Sequence, residues 1–327
     1  MTKRMIAGGL AVIMMTLFAG CAPETTAPEA EAESVTNTET ETMTETETSA
    51  ESESAVPETE TETTAAESDV LPEAGLNPAL TRDGTPKKYF TMSFDDGITQ
   101  DEKIIELLKK YNMTGATFFI NTGLGGLDLS AAISENLGIP GVKSLRYTMD
   151  ELKTGIYDGF DVECHGLTHA ILTDFEKDAE ALKREVGEDA ANIAALMGYQ
   201  PVGLAWPGGF NTETTARRIA ANTTVRFARA CGSTYDFSIP QSFMNWWPTC
   251  SVCDERAIEL ARQFAEAECT EDMLFYVWCH GYELDAYELY DEFEELLSII
   301  SSADGVISVT NAEFYQLFKD DVKLWKR

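Results

Sequence analysis

From Lys87 onward the chain alternates short apolar runs with stretches of helical period, and that alternation limits the folds open to it. "KKYFTMSF" (Lys87 to Phe94) reads as a strand, and "TQDEKIIELLKKYN" after it sets Ile104, Ile105, Leu107 and Leu108 on one helix face. The order continues with "GATFFIN" as strand, "TMDELKTGIYDG" as helix, "FDVEC" as strand and a long helical stretch from Asp174 to Met197. "PVGLAWP", "TETTARRIAAN" and "TVRFARA" repeat it, and "MLFYVWCH" (Met273 to His280), "DEFEELLSIIS", "GVISVT" and "NAEFYQLFKD" close it. Strands separated by helices need crossover connections, so they pair in parallel, and this many units favours a sheet curled into a barrel. The expected fold class is α/β, a (β/α) barrel, with its chemistry at the C-terminal ends of the strands.

Two segments precede this domain. "MTKRMIAGGLAVIMMTLFAGC" has positive Lys3 and Arg4, an uncharged apolar run from Met5 to Phe18, and small Ala19 and Gly20 before Cys21. The run falls short of the roughly 20 residues a bilayer core needs, so residues 1–20 read as a signal peptide rather than a span. Small residues ending in a cysteine resemble a bacterial lipobox, in which a lipid on Cys21 would anchor the chain to a membrane. Cleavage of an ordinary secretory signal near Cys21 is the other reading. Residues 21–70, with "TNTETETMTETETSAESESAVPETETETT" at their heart, hold no Lys or Arg and almost no bulky apolar residue. Such a segment cannot offset its ordering entropy by burial, so a disordered, extended Thr/Glu-rich stalk is expected. The domain after it is expected to be exported, lipid-anchored and extracytoplasmic.

A formal net charge of −32 argues against nucleic acid as a partner, because that binding rests on Lys and Arg neutralising phosphates. Beyond Cys21 the cysteines are Cys164, Cys231, Cys250, Cys253, Cys269 and Cys279. Export permits disulfides, but Cys164 and Cys279 sit in apolar runs where a thiol acts as a small hydrophobe. Cys250 and Cys253 form a lone CxxC, which reads as a local disulfide or plain thiols rather than a zinc knuckle.

The chain has three histidines, and two of them, His165 and His169, stand four apart in "DVECHGLTH". "SFDDG" puts Asp95 and Asp96 at the end of the first strand, and His280 ends "MLFYVWCH". All five residues therefore fall at one rim of the expected barrel. One aspartate with two histidines is a common zinc set that leaves positions open for water and substrate. Adjacent strand residues point in different directions, so one carboxylate can hold a metal while the other stays free as a base.

The order SFDDG, ECHGLTH, a strand ending in Pro-Gly-Gly and a strand ending in His280 resembles the NodB-type polysaccharide deacetylases, carbohydrate esterase family four. The resemblance runs from about Lys87 to the C-terminus. It implies a distorted (β/α) barrel of that type, with residues 71–327 as the catalytic domain, and hydrolytic removal of acetyl groups from a polysaccharide. Peptidoglycan, a chitin-like glycan and xylan are the implied substrates, N-acetyl before O-acetyl. It further implies Asp95 as general base, Asp96, His165 and His169 as ligands of Zn2+, His280 as general acid, and the Gly208 backbone N–H as oxyanion donor. Other divalent transition metals suit the same ligands.

The chain departs from the pattern in places. Gly166 replaces a Ser or Thr after the first histidine. "AWPGG" puts Ala205 where the family has an arginine paired with the base, and Gly208 where it has a tyrosine. Arg229 in "VRFARACG" is the expected substitute partner of Asp95, a surface arginine being the other reading. In "YDFSIPQSFMNWWPTC", Trp246 or Trp247 is expected to stack on a sugar and Asp236 to orient His280. Tyr282 is expected to wall the substrate groove. Two other functions stay open: a catalytically inactive carbohydrate-binding surface lipoprotein, and a hydrolase of a small amide on the same fold.

Overall fold

The structure, a computed structural model, describes residues 71–325. The expected leader, Cys21 and stalk lie outside the described residues. No helix among those described is long and apolar enough to cross a membrane.

The strands are β1 (Lys88–Asp96), β2 (Ala116–Ile120), β3 (Asp161–Cys164), β4 (Gly203–Ala205), β5 (Phe227–Arg229), β6 (Cys250–Ser251), β7 (Met273–His280) and β8 (Val306–Ser308). They form one parallel sheet in the order β5-β4-β3-β2-β1-β7-β6, with β8 also on β1. Along one edge β1 takes β7 from Lys88↔Met273 to Asp95↔His280. The other edge is shared, β8 lying beside Lys88 to Phe90 and β2 beside Met92 to Asp96. The gap between β5 and β6 is spanned by one irregular segment. Trp246 exchanges backbone hydrogen bonds with Ala228 of β5 and with Ala230 just beyond it, and the Thr249 N–H then donates to the Tyr276 carbonyl of β7. The sheet is thus curled into a distorted barrel.

Alternation along β1 sorts its side chains between two layers. Phe90, Met92 and Phe94 pack outward with α1 (Asp101–Lys110), whose Ile104, Ile105 and Leu108 form the buried stripe expected from the sequence. Each fully buried side chain of this size contributes roughly 1.5–3 kcal/mol. Tyr89, Thr91, Ser93 and Asp95 face the other way, into the barrel. That interior combines an apolar cluster, with Tyr89, Phe119, Phe227 and Trp246 among its members, with polar side chains that partner one another. Ser93 Oγ and Tyr276 OH lie 2.9 Å apart, and Tyr276 OH donates to Asn311 Oδ1 at 2.7 Å. Asn311 Nδ2 donates to Thr91 Oγ1, and Thr117 Oγ1 to Asp161 Oδ2, both at 2.9 Å. Partnered buried groups avoid the cost of unsatisfied ones, and they form a fixed floor beneath Asp95.

Local differences from the sequence reading have local causes. The helix expected from Asp174 runs from Ala179 and is interrupted by a π-helical turn, Lys183–Glu188, between α4 (Ala179–Leu182) and α5 (Asp189–Met197). The helix expected from Thr148 lasts one turn, α3 (Met149–Leu152), before positive-φ Gly155 and Gly159 turn the chain away. Among the helices not anticipated from the sequence, α2 (Ser130–Leu137) and a helix at Ala257–Glu266 lie in long connections, and a short one at Gly281–Ala286 follows His280. The six described cysteines are free thiols.

Candidate active site

Because Asp95, Arg229 and His280 each end an inward-facing row, the barrel delivers them to one place. Asp95 and His280 are register partners on adjacent strands, with His280 Nε2 3.8 Å from Asp95 Oδ2. Arg229 is fully buried, and its Nη2 pairs with Asp95 Oδ2. Burial works against the guanidinium charge and Asp95 restores it, so Arg229 is held above its ordinary pKa. The guanidinium also lies over the Trp278 ring, 4.4 Å from its centroid. Ala205 explains why β5 can supply this arginine. Ala205 and Arg229 are register partners, so their side chains start about 5 Å apart on one face. The small residue on β4 leaves room for the long one beside it.

The loop after β3 carries His165 and His169. Gly166 has φ 78° and His169 φ 57°, so the residue replacing the family's Ser or Thr sits in backbone that favours glycine. The loop is clamped from three sides. Asn121 Nδ2 donates to the carbonyls of His165 and Gly166, both at 2.7 Å. Buried Asp189 accepts from His165 N at 3.1 Å and from Thr122 N and Oγ1. Burial pushes the Asp189 carboxyl up to about 7, its donors opposing this. Glu185, projecting from the π-helical turn, accepts from Thr168 N and Oγ1 at 3.1 and 2.8 Å.

One oxygen of Asp96 and one nitrogen each of His165 and His169 lie within 4.8 Å of one another. Alternation alone would turn Asp96 outward behind Phe94, but φ 92° at Asp96 swings its carboxylate back to the rim, a strained backbone of the kind found at functional sites. His165 Nδ1 lies 2.9 Å from the Ala205 carbonyl, which can only accept, so this nitrogen carries the proton and Nε2 presents a lone pair. Asp96 Oδ1 and His165 Nε2 are buried with no partner among the described residues, 3.7 Å apart. Orphaned polar atoms of this kind are costly. Burial lowers both histidine pKa values, that of His169 to about 3, so both rings are neutral as metal ligation requires. The three residues fit a divalent transition metal with open positions. Arg146, in the loop between α2 and α3, pairs with Asp96. Burial pushes the Asp96 carboxyl up, but Arg146, with smaller contributions from His280, His169 and His165, outweighs it and holds the group well below the carboxylate range.

Around this centre several expectations are corrected. Asp236 is exposed and its Oδ1 caps Ser238 N, so Glu283 rather than Asp236 orients His280. Glu283 Oε2 lies 3.0 Å from His280 Nδ1 and accepts from His280 N at 2.8 Å. Trp246 is fully buried among Phe227, Phe243, Tyr276 and Phe314, so it is core and unavailable to a sugar. Trp247 stays 46% exposed, its Nε1 donating to Asn245 Oδ1 at 2.8 Å. Tyr282 is 1% exposed and stacks on His280, with centroids 4.7 Å apart and planes 19° from parallel. It backs the histidine rather than walling a groove. Gly208, at φ 64° in the turn Pro207–Gly209, has Ile171 Cδ1 only 3.0 Å from where a Cβ would stand, so the family's tyrosine would be strained in this backbone. The sequence reading missed Arg146, Asn121, Glu185, Asp189 and Glu283. Only Glu283 carried a local signal, a glutamate three residues after a strand-ending His280, as in a helix capping box.

Fold and site together define a parallel (β/α) barrel with a candidate metal-hydrolase centre at the C-terminal ends of its strands. Residues 82–228 match the family model described as polysaccharide deacetylase, which supports a NodB-type deacetylase and agrees with this barrel. The match takes in Asp95, Asp96, Arg146, His165 and His169 and stops before Arg229. No curated protein sequence matches the chain. Similar solved structures include the Xyl-CE4 domain of a multidomain xylanase from the hindgut metagenome of Trinervitermes trinervoides, at 13% identity and TM-score 0.43, covering 70% of this chain and 90% of that one. A family 4 acetyl xylan esterase from Clostridium thermocellum, in complex with a cobalt ion, is similar at 15% identity and TM-score 0.43, covering 72% and 93%. A putative polysaccharide deacetylase from Mycobacterium smegmatis is similar at 11% identity and TM-score 0.49, covering 79% and 99%.

Proposed function

We propose that the protein hydrolyses acetyl groups from a polysaccharide, N-acetyl before O-acetyl, with a divalent metal held by Asp96, His165 and His169. The observation that carries this is the pairing of two unlike groups beside the ligand cluster: an arginine-bound carboxylate, Asp95, and a carboxylate-bound histidine, His280. A protein that only binds a sugar has no use for either. When bound, the metal would supply Lewis-acid polarisation of the acetyl carbonyl and acidify a water. Arg229 engages Oδ2 of Asp95, while Oδ1 is buried and has no partner among the described residues, so Oδ1 is the atom that takes the water's proton. Gly208 N–H is the donor to the developing oxyanion. His280 Nε2–H protonates the departing nitrogen, which cannot leave as an anion. The chain's export and its anchor at Cys21 belong to the same proposal and rest on the leader sequence alone.

Acetate release by the purified protein from chitooligosaccharides, peptidoglycan and acetylxylan tests this. Release should disappear after dialysis against a chelator and return with zinc. Undiminished release from the metal-free protein would sink the metal-dependent reading. Zinc binding with no acetate from any of the three would move the inactive carbohydrate-binding reading ahead.

A second expectation concerns pH. Burial alone lowers the His280 pKa, but the Glu283 charge and hydrogen bond raise it to about 9. An acid must be protonated to act, so activity should persist up to about pH 9 and fall above it. Glu283→Gln removes the raising charge and moves that alkaline limb down toward the ordinary imidazole value of about 6.5. At about pH 8 the variant should be slower by roughly tenfold, and near pH 6 much closer to the parent. A pH–rate profile of both proteins checks this, and an unmoved alkaline limb would refute the role of Glu283.

A further inference from the structure

We propose that Arg146 is a positioning residue that restricts Asp96 to one metal-facing oxygen and limits the negative charge of the ligand pocket. The inference rests on the metal-binding reading above. Arg146 has no counterpart among the motifs read from the sequence. It reaches the site because its loop folds back over the end of β1, pairing antiparallel with Ile98, while Tyr147 N donates to Gly97 O. The Arg146 side chain is 4% exposed, and Nη1 meets Asp96 twice, donating to the backbone carbonyl at 2.8 Å and pairing with Oδ2 at 2.9 Å.

The two oxygens of Asp96 are thereby divided. Oδ2 is spent on a cation that cannot lose its proton. Oδ1 is left buried, without a partner among the described residues, and 3.7 Å from His165 Nε2. A carboxylate tethered at one oxygen binds an ion through the other and cannot swing to clasp it with both. The charge count points the same way. Asp95 has Arg229 and Asp96 has Arg146, so each carboxylate is matched by its own buried guanidinium. An entering divalent ion then meets a pocket with no net negative charge. It is held less tightly than an unpaired carboxylate would hold it, and it stays electron-poor, which is what polarising a carbonyl requires.

This predicts opposite changes in metal affinity and activity, which a merely structural arginine would not give. In Arg146→Met the freed carboxylate can turn both oxygens to the ion, and a repelling positive charge is gone. Zinc should bind about tenfold or more tightly, read by competition with a chromophoric chelator against the metal-free protein. The visible absorption of the cobalt-loaded variant should weaken as its coordination shell fills, while acetate release drops by about tenfold. Arg146→Lys keeps the charge and should return affinity and spectrum toward the parent. Arg146→Gln offers an uncharged N–H, so its affinity should also rise, and it decides the matter if the methionine variant does not fold. Affinity unchanged or weakened in both neutral variants would overturn the proposal while leaving the metal site standing. A parent protein that binds no divalent ion would overturn the metal reading itself, and this inference with it.

Discussion

Replacing Asp95 with asparagine is expected to lower acetate release by roughly 10²–10⁴-fold while leaving the protein's metal content unchanged. The two readouts separate because the two aspartates of "SFDDG" do different jobs. Asp95 ends the inward row of β1, beside Arg229 and opposite His280. Asp96 is swung by its φ of 92° toward His165 and His169. An asparagine at position 95 keeps the shape and an oxygen for Arg229, but its amide cannot take a proton. Kinetics on the best of the three substrates, with metal content measured on the same preparation, check this. Loss of metal together with activity would mean that Asp95 is a ligand and the assignment of the pair is reversed. Activity within a few fold of the parent would remove Asp95 as the base.

What could be read from the sequence follows what strand geometry exposes. Period-two alternation and strand ends are local properties, so Asp95, Asp96, His165, His169 and His280 could be placed at one rim from spacing and residue type. Arg229 could be paired with Asp95 only through the family resemblance, which marks an arginine as missing at Ala205 and turns attention to the next strand, and the register Ala205↔Arg229 supplies the physical reason. Arg146 was not readable. It stands in a loop whose path is set by bonds to Gly97 and Ile98, some fifty positions away, and nothing around it marks a charged residue destined for burial. Asn121, Asp189 and Glu185 escaped for the same reason, each clamping the His165–His169 loop from a distant element.

The tryptophan pair shows where alternation itself stops helping. Trp246 and Trp247 are neighbours, so one faces in and the other out, but the segment holding them is too irregular for its phase to be read. The strand that follows it in the chain, β6, is two residues long. Backbone bonds from Trp246 to both Ala228 and Ala230 fix that phase and send Trp246 into the core. Trp247 is left at the surface, packed on Gly232, where a Cβ would stand 2.6 Å from its ring. The candidate sugar platform is therefore one ring.

The largest stability effect is expected at Arg229. Arg229 and Asp95 are 0% and 2% exposed in their side chains, so neither charge can turn to water if the other is removed. Arg229→Met retains apolar bulk against Trp278 and Phe119, which the guanidinium now covers at 4.4 and 5.8 Å from their centroids. It strands the Asp95 carboxylate, and breaking a buried pair from one side costs roughly 3–5 kcal/mol. For a domain of this size that is a fall in melting temperature on the order of 10 °C. The double variant Asp95→Asn, Arg229→Met removes both charges and should recover much of the loss, because most of it is the penalty of an unpaired ion rather than the worth of the pair. Denaturant unfolding of the parent, both single variants and the double variant closes this cycle. Costs that simply add would mean the two side chains do not share a buried pair. A positive coupling would mean that the arginine on β5 does physically what the one missing at Ala205 would have done, holding a charged base ready inside the barrel.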